Sequence, residues 1–133
     1  MALDRSMSIL VVDDSAAIIR IIHSLLRHLG FMDVDDASDA ATALVKMRAK
    51  PFGLVISDWN MESMSGHDFL REVRADPALK QTPFIMVTGE YKAENVIAAK
   101  RAGVSNYIVK PFDAPTLRAK IESTFAQRFA GLA

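Results

Sequence analysis

The sequence predicts an α/β fold built on a parallel sheet of five strands with five helices, and three observations carry this prediction. Short apolar runs alternate five times with segments whose apolar residues recur at the helical period, which is typical of strands joined by crossover helices. Three of the runs are almost continuously apolar, as expected where helices cover both faces of a sheet. Four of the five runs end in a chemically useful polar residue, and such residues gather beyond the carboxyl ends of parallel strands.

The predicted strands are short, and the second is the most polar, which places it at an edge of the sheet. The five predicted strands are Ile9 to Val12, Met32 to Asp36, Leu54 to Ser57, Phe84 to Thr88 and Asn106 to Val109.

The predicted helices are defined by apolar stripes and by residues that start or stop a helix. The first ends at Gly30, a C-terminal cap, and the second begins after Ser38, a good N-cap. The third stops before Pro77, the fourth ends at Gly103, and the fifth begins around Pro115, a favoured first-turn residue. In chain order the expected buried stripes are Ile18, Ile22, Leu25, Leu26 and Leu29; Ala41, Leu44 and Val45; Phe69, Leu70 and Val73; Val96, Ala99 and Ala102; and Leu117, Ile121, Phe125 and Phe129.

Composition narrows the function classes. The 133 residues fit one domain, and 16 Lys and Arg balance 16 Asp and Glu, so no basic excess indicates a nucleic-acid groove. The chain has no cysteine, which excludes disulfides and thiolate sites. The amino-terminal apolar run is too short for a signal peptide, and no run reaches the roughly 20 apolar residues of a membrane span. We therefore expect a cytoplasmic protein without nucleic-acid or membrane partners.

Five residues at predicted strand ends carry the chemistry: Asp13 and Asp14 after the first strand, Asp58 after the third, Thr88 at the end of the fourth and Lys110 after the fifth. If the first and third strands are neighbours, the three carboxylates meet. Two anions about 4 Å apart repel by about 4 kcal/mol at an effective dielectric constant of about 20, so the cluster needs cations. Lys110 supplies one charge, and the remaining all-oxygen pocket is of the kind that takes Mg²⁺.

A magnesium ion in such a pocket usually shares it with a phosphoryl group. A hydroxyl donor at Thr88 and a point charge at Lys110 are what the remaining phosphoryl oxygens need. The acceptor is then Asp58, a carboxylate held at the end of a rigid strand and able to attack phosphorus in line. Aspartates at strand ends also serve as plain helix N-caps, but the joint pattern favours phosphoryl chemistry.

Four motifs, "VVDDS", "ISDWNM", "MVTGE" and "YIVKPF", follow one another as in a known family. The chain resembles the receiver domain of two-component response regulators, and within it the single-domain chemotaxis regulators, from Ser8 to about Phe129. The resemblance implies a doubly wound, flavodoxin-like sheet in the order 2-1-3-4-5. It also implies a receiver domain over residues 8–130, preceded by a lead-in at residues 1–7. Because the strand pattern follows directly from Met7, we expect residues 1–6 to be unstructured.

The resemblance further implies residue roles. Asp58 matches the phosphoacceptor, Asp14 and Asp58 match direct Mg²⁺ ligands, Asn60 matches the ligand that acts through its backbone carbonyl, and Asp13 matches the one that acts largely through water. In the same way, Thr88 and Tyr107 match the switch pair, and Lys110 matches the lysine that contacts the phosphoryl group. Lys110 is followed by Pro111, across a bond that is cis in the family.

Two positions depart from the family pattern. Glu62 stands where many relatives have proline, and Tyr91 stands where a small residue is frequent, on the face used for partners. A modest basic trend on the fourth and fifth helices is most often a solvated face, but next to apolar residues it is also suited to docking an acidic and apolar helix. The residues assigned to this partner surface are Tyr91, Val96, Tyr107 and Lys120.

The functional prediction is a monomeric, stand-alone receiver and not an enzyme, phosphorylated by a histidine kinase and binding the flagellar motor switch in chemotaxis. One alternative is a phosphate sink or a regulator of other kinases without motor contact. A remote alternative is an aspartate-nucleophile phosphatase of the haloacid dehalogenase type, but that class has an acid/base aspartate where this chain has Asn60. We expect Trp59 to report on the site, and His23, His28 and His67 to be solvated at the surface.

Overall fold

The computed structural model of the chain describes residues 3–89 and 92–132, with side chains through residue 126. Within these residues five strands form one parallel sheet in the order β2-β1-β3-β4-β5, and each strand is followed by a helix. The predicted α/β class, the parallel sheet, its strand order and the edge position of the second strand are confirmed. The strands are β1 (Ile9–Val12), β2 (Val34–Ala37), β3 (Leu54–Asp58), β4 (Phe84–Thr88) and β5 (Asn106–Val109). The helices are α1 (Ala16–His28), α2 (Ala40–Ala49), α3 (Gly66–Ala75), α4 (Ala93–Ala102) and α5 (Ala114–Leu132).

The hydrophobic core lies on both faces of the sheet. Every residue of β1, β3 and β4 is buried, because helices cover these strands from two sides. Side chains of α2 and α3 pack on one face, and side chains of α1 and α5 pack on the other. The central strands are therefore rigid supports for any residue at their ends.

The boundaries of two strands differ from the prediction. Strand β2 begins at Val34 and not at Met32, whose side chain is 68% exposed. Pairing with β1 starts at Ile9 and Val34, so the residues before Val34 lie outside the ladder. Strand β3 runs one residue further than predicted and includes Asp58, which pairs with Val87 of β4.

Helix α2 begins one residue later than predicted, and the positions that it buries differ from the predicted stripe. Its N-cap is Asp39 and not Ser38, and the Asp39 carboxylate accepts a hydrogen bond from the Thr42 N–H. Ala41 and Val45 are consequently exposed. Alanines at three of the first four helical positions make the phase of the stripe ambiguous in the sequence. The buried residues of this helix are Ala40, Ala43, Leu44 and Met47.

The ends of the other helices follow the prediction closely. Gly30 and Gly103 adopt positive φ angles of 98° and 92°, the left-handed conformation that favours glycine after a helix. Gly103 directly follows α4, and Gly30 follows the C-cap of α1, Leu29. The third helix ends before Pro77, and Pro115 is the second residue of α5. The stripes of α3 and α5 are buried at their predicted apolar positions through Ile121. The side chain of Phe129 lies outside the described part of the chain.

Within the described part of the lead-in, residues 3–7, Arg5 contacts the folded domain. Arg5 Nε donates a hydrogen bond to the carbonyl of Leu29 at 2.8 Å, and the Arg5 guanidinium lies 5.7 Å from the ring centroid of Phe31. Arg5 therefore satisfies a carbonyl at the end of α1 that the helix itself leaves unpaired.

Among the helices of the described residues, none has the length and hydrophobicity needed to cross a bilayer.

Candidate phosphoryl and metal site

Three carboxylates meet at the carboxyl ends of the two central strands. Strands β1 and β3 are neighbours with Val12 opposite Ser57, so the residues that follow, Asp13 and Asp58, lie side by side. One carboxylate oxygen from each of Asp13, Asp14 and Asp58 lies within 4.8 Å of the other two. The convergence expected from the strand order is therefore observed.

Asp13 is the most unusual of the three carboxylates. Its side chain is 2% exposed, its Oδ1 accepts a hydrogen bond from the Ser15 N–H at 2.9 Å, and its Oδ2 is buried without any hydrogen-bond partner. Burial raises the pKa of Asp13 above its usual value, the Ser15 hydrogen bond opposes this, and the charge of Asp58 raises it further. Leaving a buried carboxylate oxygen without a hydrogen bond costs free energy. This cost favours a ligand-binding site, in which a bound cation would interact with the Asp13 carboxylate.

Lys110 delivers the cation of the site from the end of β5. Its backbone N–H donates to the carbonyl of Thr88 at 2.8 Å, which holds the Lys110 backbone next to the end of β4. Its Nζ donates to Asp58 Oδ1 at 3.0 Å. The bond from Lys110 to Pro111 is cis, as the family resemblance implies. Among the described residues, Lys110 is therefore the cation paired with a cluster of three carboxylates, and the pocket remains anionic.

The other residues assigned from the sequence lie at the same edge or next to it. Thr88 is 4% exposed at the last position of β4, next to the Val87 that pairs with Asp58. Asn60 is exposed two residues after Asp58. Tyr107 is half-buried in β5 opposite Met86 and packs against the core between the sheet and α2 and α3. The roles assigned to these residues remain predictions.

The donor set fits a hard divalent cation. Three carboxylates supply oxygen ligands of the kind that Mg²⁺ prefers. Asp13 contributes one oxygen to this cluster, and its Oδ2 has no hydrogen-bond partner, so its carboxylate keeps an oxygen that a cation could bind. Asp14 is exposed while Asp13 and Asp58 are buried, which leaves the cluster open to solvent on one side.

Sequence reasoning missed the contacts that two of the three histidines make. The His67 ring stacks on the indole of Trp59 with centroids 5.4 Å apart, and His23 Nε2 lies 3.1 Å from Asp36 Oδ2. Both histidines are half-buried, so the expectation of solvated surface rings was wrong for them, whereas His28 is exposed. The apolar periodicity of a helix cannot reveal such contacts, because they depend on neighbouring elements.

The residues assigned to the partner surface are only partly exposed. Val96, Tyr107 and Lys120 are each half-buried, and Tyr91 lies outside the described residues. The larger apolar exposure on these elements belongs to Ile97 of α4, at 50%, and Val109 of β5, at 37%. A partner that docks on this side would therefore meet two aliphatic side chains that the sequence stripe did not identify.

Comparison with known proteins agrees with this fold and site. Residues 9–122 match the family model of the response regulator receiver domain, and the chain belongs to that family. It is similar to the chemotaxis protein CheY of Pseudomonas aeruginosa, with 49% identity over 90% of this chain and 96% of that protein. It is also similar to the chemotaxis protein CheY-3 of Vibrio cholerae, with 46% identity over 92% of this chain and 95% of that protein. Among solved structures, Vibrio cholerae CheY4 superposes with a TM-score of 0.84 at 34% identity, over 90% of this chain and 98% of that one.

Proposed function

We propose that the chain is a response regulator whose Asp58 accepts a phosphoryl group from the phosphohistidine of a histidine kinase. One observation carries the proposal: the Asp58 carboxylate is 5% exposed at the end of a central strand, with Lys110 Nζ 3.0 Å from its Oδ1. A nucleophile held this way has little freedom to lose when it reacts. Its place beside two further carboxylates prepares the pocket for a charged group accompanied by a cation.

The proposed transfer is a direct displacement at phosphorus. An oxygen of Asp58 forms the new bond to phosphorus while the bond from phosphorus to the imidazole nitrogen breaks, and the electron pair of that bond remains on the imidazole nitrogen. Lys110 offsets negative charge on the phosphoryl oxygens as a point charge. Thr88 contributes a hydroxyl at the same edge of the sheet as a hydrogen-bond donor.

Asp13, Asp14 and Asp58 are the residues that would hold Mg²⁺, together with the backbone carbonyl of Asn60. A bound magnesium ion offsets the charge of the phosphoryl oxygens during transfer. The remaining contribution comes from the chain itself, because β1 and β3 hold Asp13 and Asp58 side by side and the oxygen cluster does not need to be assembled for each reaction.

A labelling experiment tests the phosphoacceptor. Incubation with acetyl phosphate and Mg²⁺ is expected to add one phosphoryl group at Asp58, read by intact mass and by the fluorescence of Trp59. Asp58→Asn is expected to remain unlabelled, and undiminished labelling of that variant would refute the assignment. Sustained release of p-nitrophenol from p-nitrophenyl phosphate would instead indicate a phosphatase, whereas we expect a regulator that is not an enzyme.

We further propose that the output is chemotaxis in the cytoplasm, through binding of the phosphorylated monomer to the flagellar motor switch. Support comes from two relatives that are chemotaxis proteins and are 46% and 49% identical to this chain. The partner would dock on α4, β5 and α5, where Ile97 and Val109 add exposed apolar surface to Val96, Tyr107 and Lys120.

The free energy needed to shift the conformational equilibrium determines how many residues must take part in the switch. Changing a two-state surface from 1:99 to 99:1 takes about 5.5 kcal/mol, whereas one hydrogen bond from Thr88 to a charged phosphoryl oxygen contributes roughly 1.5–3 kcal/mol. We therefore expect Thr88 and Lys110 to act together. As Thr88 moves toward the phosphoryl group, the Tyr107 ring, whose hydroxyl is already buried, would turn further inward into the space that Thr88 leaves. The partner completes the shift by binding the active state better.

Thermodynamic linkage tests this switch. A motor-switch peptide must raise the affinity for beryllofluoride, a phosphoryl mimic, by the same factor by which beryllofluoride raises the peptide affinity. Each ligand is titrated with and without the other, and Thr88→Ala is the matched variant. A peptide that binds equally with and without the mimic would favour a phosphate sink, and an unchanged response of Thr88→Ala would place the switch elsewhere.

A further inference from the structure

Gly66, the first residue of α3, makes an unusually close approach to the backbone of Asp58. An ideal Cβ at this position would lie 2.1 Å from the carbonyl oxygen of Asp58, 3.0 Å from its carbonyl carbon and 2.9 Å from Met86 Sδ. Tight carbon to oxygen contacts in proteins lie at about 3.3 Å. Any side chain at Gly66 must therefore push α3 and the end of β3 apart by about 1 Å.

Backbone conformation does not explain this glycine. Among the described glycines the positive φ angles belong to Gly30 and Gly103, so the backbone angles at Gly66 are open to other residues. The neighbours also differ from those of Gly53, where an added Cβ would meet atoms of the Met7 side chain, the nearest at 2.9 Å. Side-chain atoms can move aside, whereas the Asp58 carbonyl, at the end of the central strand β3, cannot move without the backbone that carries it.

Both partners of the contact are held in place. Asp58 pairs with Val87, and the next residue, Trp59, donates its N–H to the Val87 carbonyl at 2.8 Å. The N–H of Gly66 in turn donates to the carbonyl of Trp59 at 2.8 Å, which closes the loop between β3 and α3. On the other side, α3 is anchored by its buried face. A displacement forced at Gly66 thus reaches Asp58 directly.

We propose that Gly66 is a positioning residue for the phosphoacceptor, because only glycine lets α3 begin against the Asp58 carbonyl and so fixes where the Asp58 carboxylate lies. This inference rests on the proposed role of Asp58. The geometry at stake is the 3.0 Å contact with Lys110 Nζ and the 4.8 Å oxygen cluster. Catalytic groups must be held to about 0.5 Å, and a misplacement of about 1 Å can slow a reaction about 100-fold.

The test compares Gly66→Ala with Gly53→Ala, a variant at the opposite end of the same strand. Three quantities are measured for each: the labelling rate with acetyl phosphate at saturating Mg²⁺, the Mg²⁺ affinity by calorimetry, and the melting temperature. Gly66→Ala is expected to label about 10- to 100-fold more slowly and to bind Mg²⁺ more weakly. Gly53→Ala is expected to melt earlier but to label at the wild-type rate. If Gly66→Ala slowed labelling only by destabilising β3, Gly53→Ala would slow labelling as well.

A second background guards against a variant that does not fold. Met86→Val removes the flexible side chain next to Gly66 and leaves the Asp58 carbonyl as the obstacle, so Gly66→Ala is also measured in that background against Met86→Val alone. A persistent loss of labelling supports the proposal. Wild-type labelling by folded Gly66→Ala, or recovery in the Met86→Val background, overturns it. Failure of the wild type to label, or labelling of Asp58→Asn, overturns the proposed function instead.

Discussion

The chain holds two groups of three aspartates, and it treats them in opposite ways. On β2 and the loop before it, each carboxylate has a basic partner: Asp33 with Lys50 at 3.6 Å, Asp35 with Lys46 at 3.0 Å and Asp36 with His23 at 3.1 Å. At the ends of β1 and β3, Asp13, Asp14 and Asp58 form one cluster, and the ion pair within it joins Lys110 to Asp58 at 3.0 Å.

The pKa values of one aspartate from each group, Asp35 and Asp13, show this difference. Burial alone would raise the pKa of Asp35, but hydrogen bonds from Lys46 Nζ and the Asp36 N–H outweigh it and hold that pKa below its usual value. The pKa of Asp13 is raised, because burial is the largest influence and Asp58 adds repulsion. Each carboxylate of the edge group thus has a basic partner, of which His23 is charged only when protonated, while the site group keeps a larger negative charge that a bound cation would offset.

The largest expected effect is stabilisation by Mg²⁺. At a concentration 100-fold above its dissociation constant, a ligand that binds only the folded state adds about 2.7 kcal/mol to the free energy of unfolding. We expect the melting temperature of the wild type to rise by several degrees with Mg²⁺, and Asp14→Ala to erase the rise. Identical melts of the wild type with and without saturating Mg²⁺ would contradict a metal site among these carboxylates.

The next effect separates stability from function at one residue. Asp13→Asn removes a buried charge whose Oδ2 has no partner, so the metal-free protein is expected to become more stable by roughly 1–3 kcal/mol. The same variant should lose most of its stabilisation by Mg²⁺. Urea unfolding in EDTA and in Mg²⁺ measures both, and a destabilised metal-free variant would contradict the cost assigned to the unpaired Oδ2.

The pH dependence should have opposite signs in the two groups. The folded protein holds the Asp13 proton more tightly than the unfolded chain does, in which the pKa of this carboxyl is about 3.8. Its contribution to stability therefore falls as the pH rises from about 3.8 through the raised pKa. For Asp35 the folded pKa is depressed, so its contribution is present above about 3.8 and is lost as the pH falls through the lowered value.

Urea unfolding of the metal-free wild type and the two asparagine variants between pH 3 and 7 measures these contributions as differences from wild type. The advantage of Asp13→Asn should grow as the pH rises, while the deficit of Asp35→Asn should appear only above the lowered pKa. Parallel curves for both variants would contradict the assignment of the two shifts.

These contrasts also mark what the sequence could predict. The alternation of apolar runs and helical stripes identified the fold class, and the strand ends identified Asp13, Asp14 and Asp58, because parallel strands present their carboxyl ends at one edge. The phase of α2 was missed because alanines around Asp39 give no clear stripe. Pairing on β2 was also missed, since Lys46 and His23 reach the strand from two different helices.

The closeness of Gly66 to Asp58 illustrates a further limit. A glycine after a serine cap is visible in the sequence, yet its conformation is ordinary and no spacing rule indicates that it faces the Asp58 carbonyl. Such contacts depend on how far a helix lies from a strand, which packing sets. Sequence patterns locate residues on elements, and the distances between elements come from the fold.

The smallest expected effect concerns the edge group. Asp35→Asn removes the charge opposite Lys46, whose Nζ keeps a hydrogen bond of 2.6 Å to the Asp36 carbonyl, so the lysine remains anchored. The pair is partly exposed, and pairs of this kind contribute up to about 1 kcal/mol. We expect a loss below this value in urea unfolding, smaller still in 1 M salt because of screening, with unchanged stabilisation by Mg²⁺. If Asp35→Asn altered the Mg²⁺ response as Asp13→Asn does, the two groups would not be independent, and the larger negative charge could not be assigned to the strand ends alone.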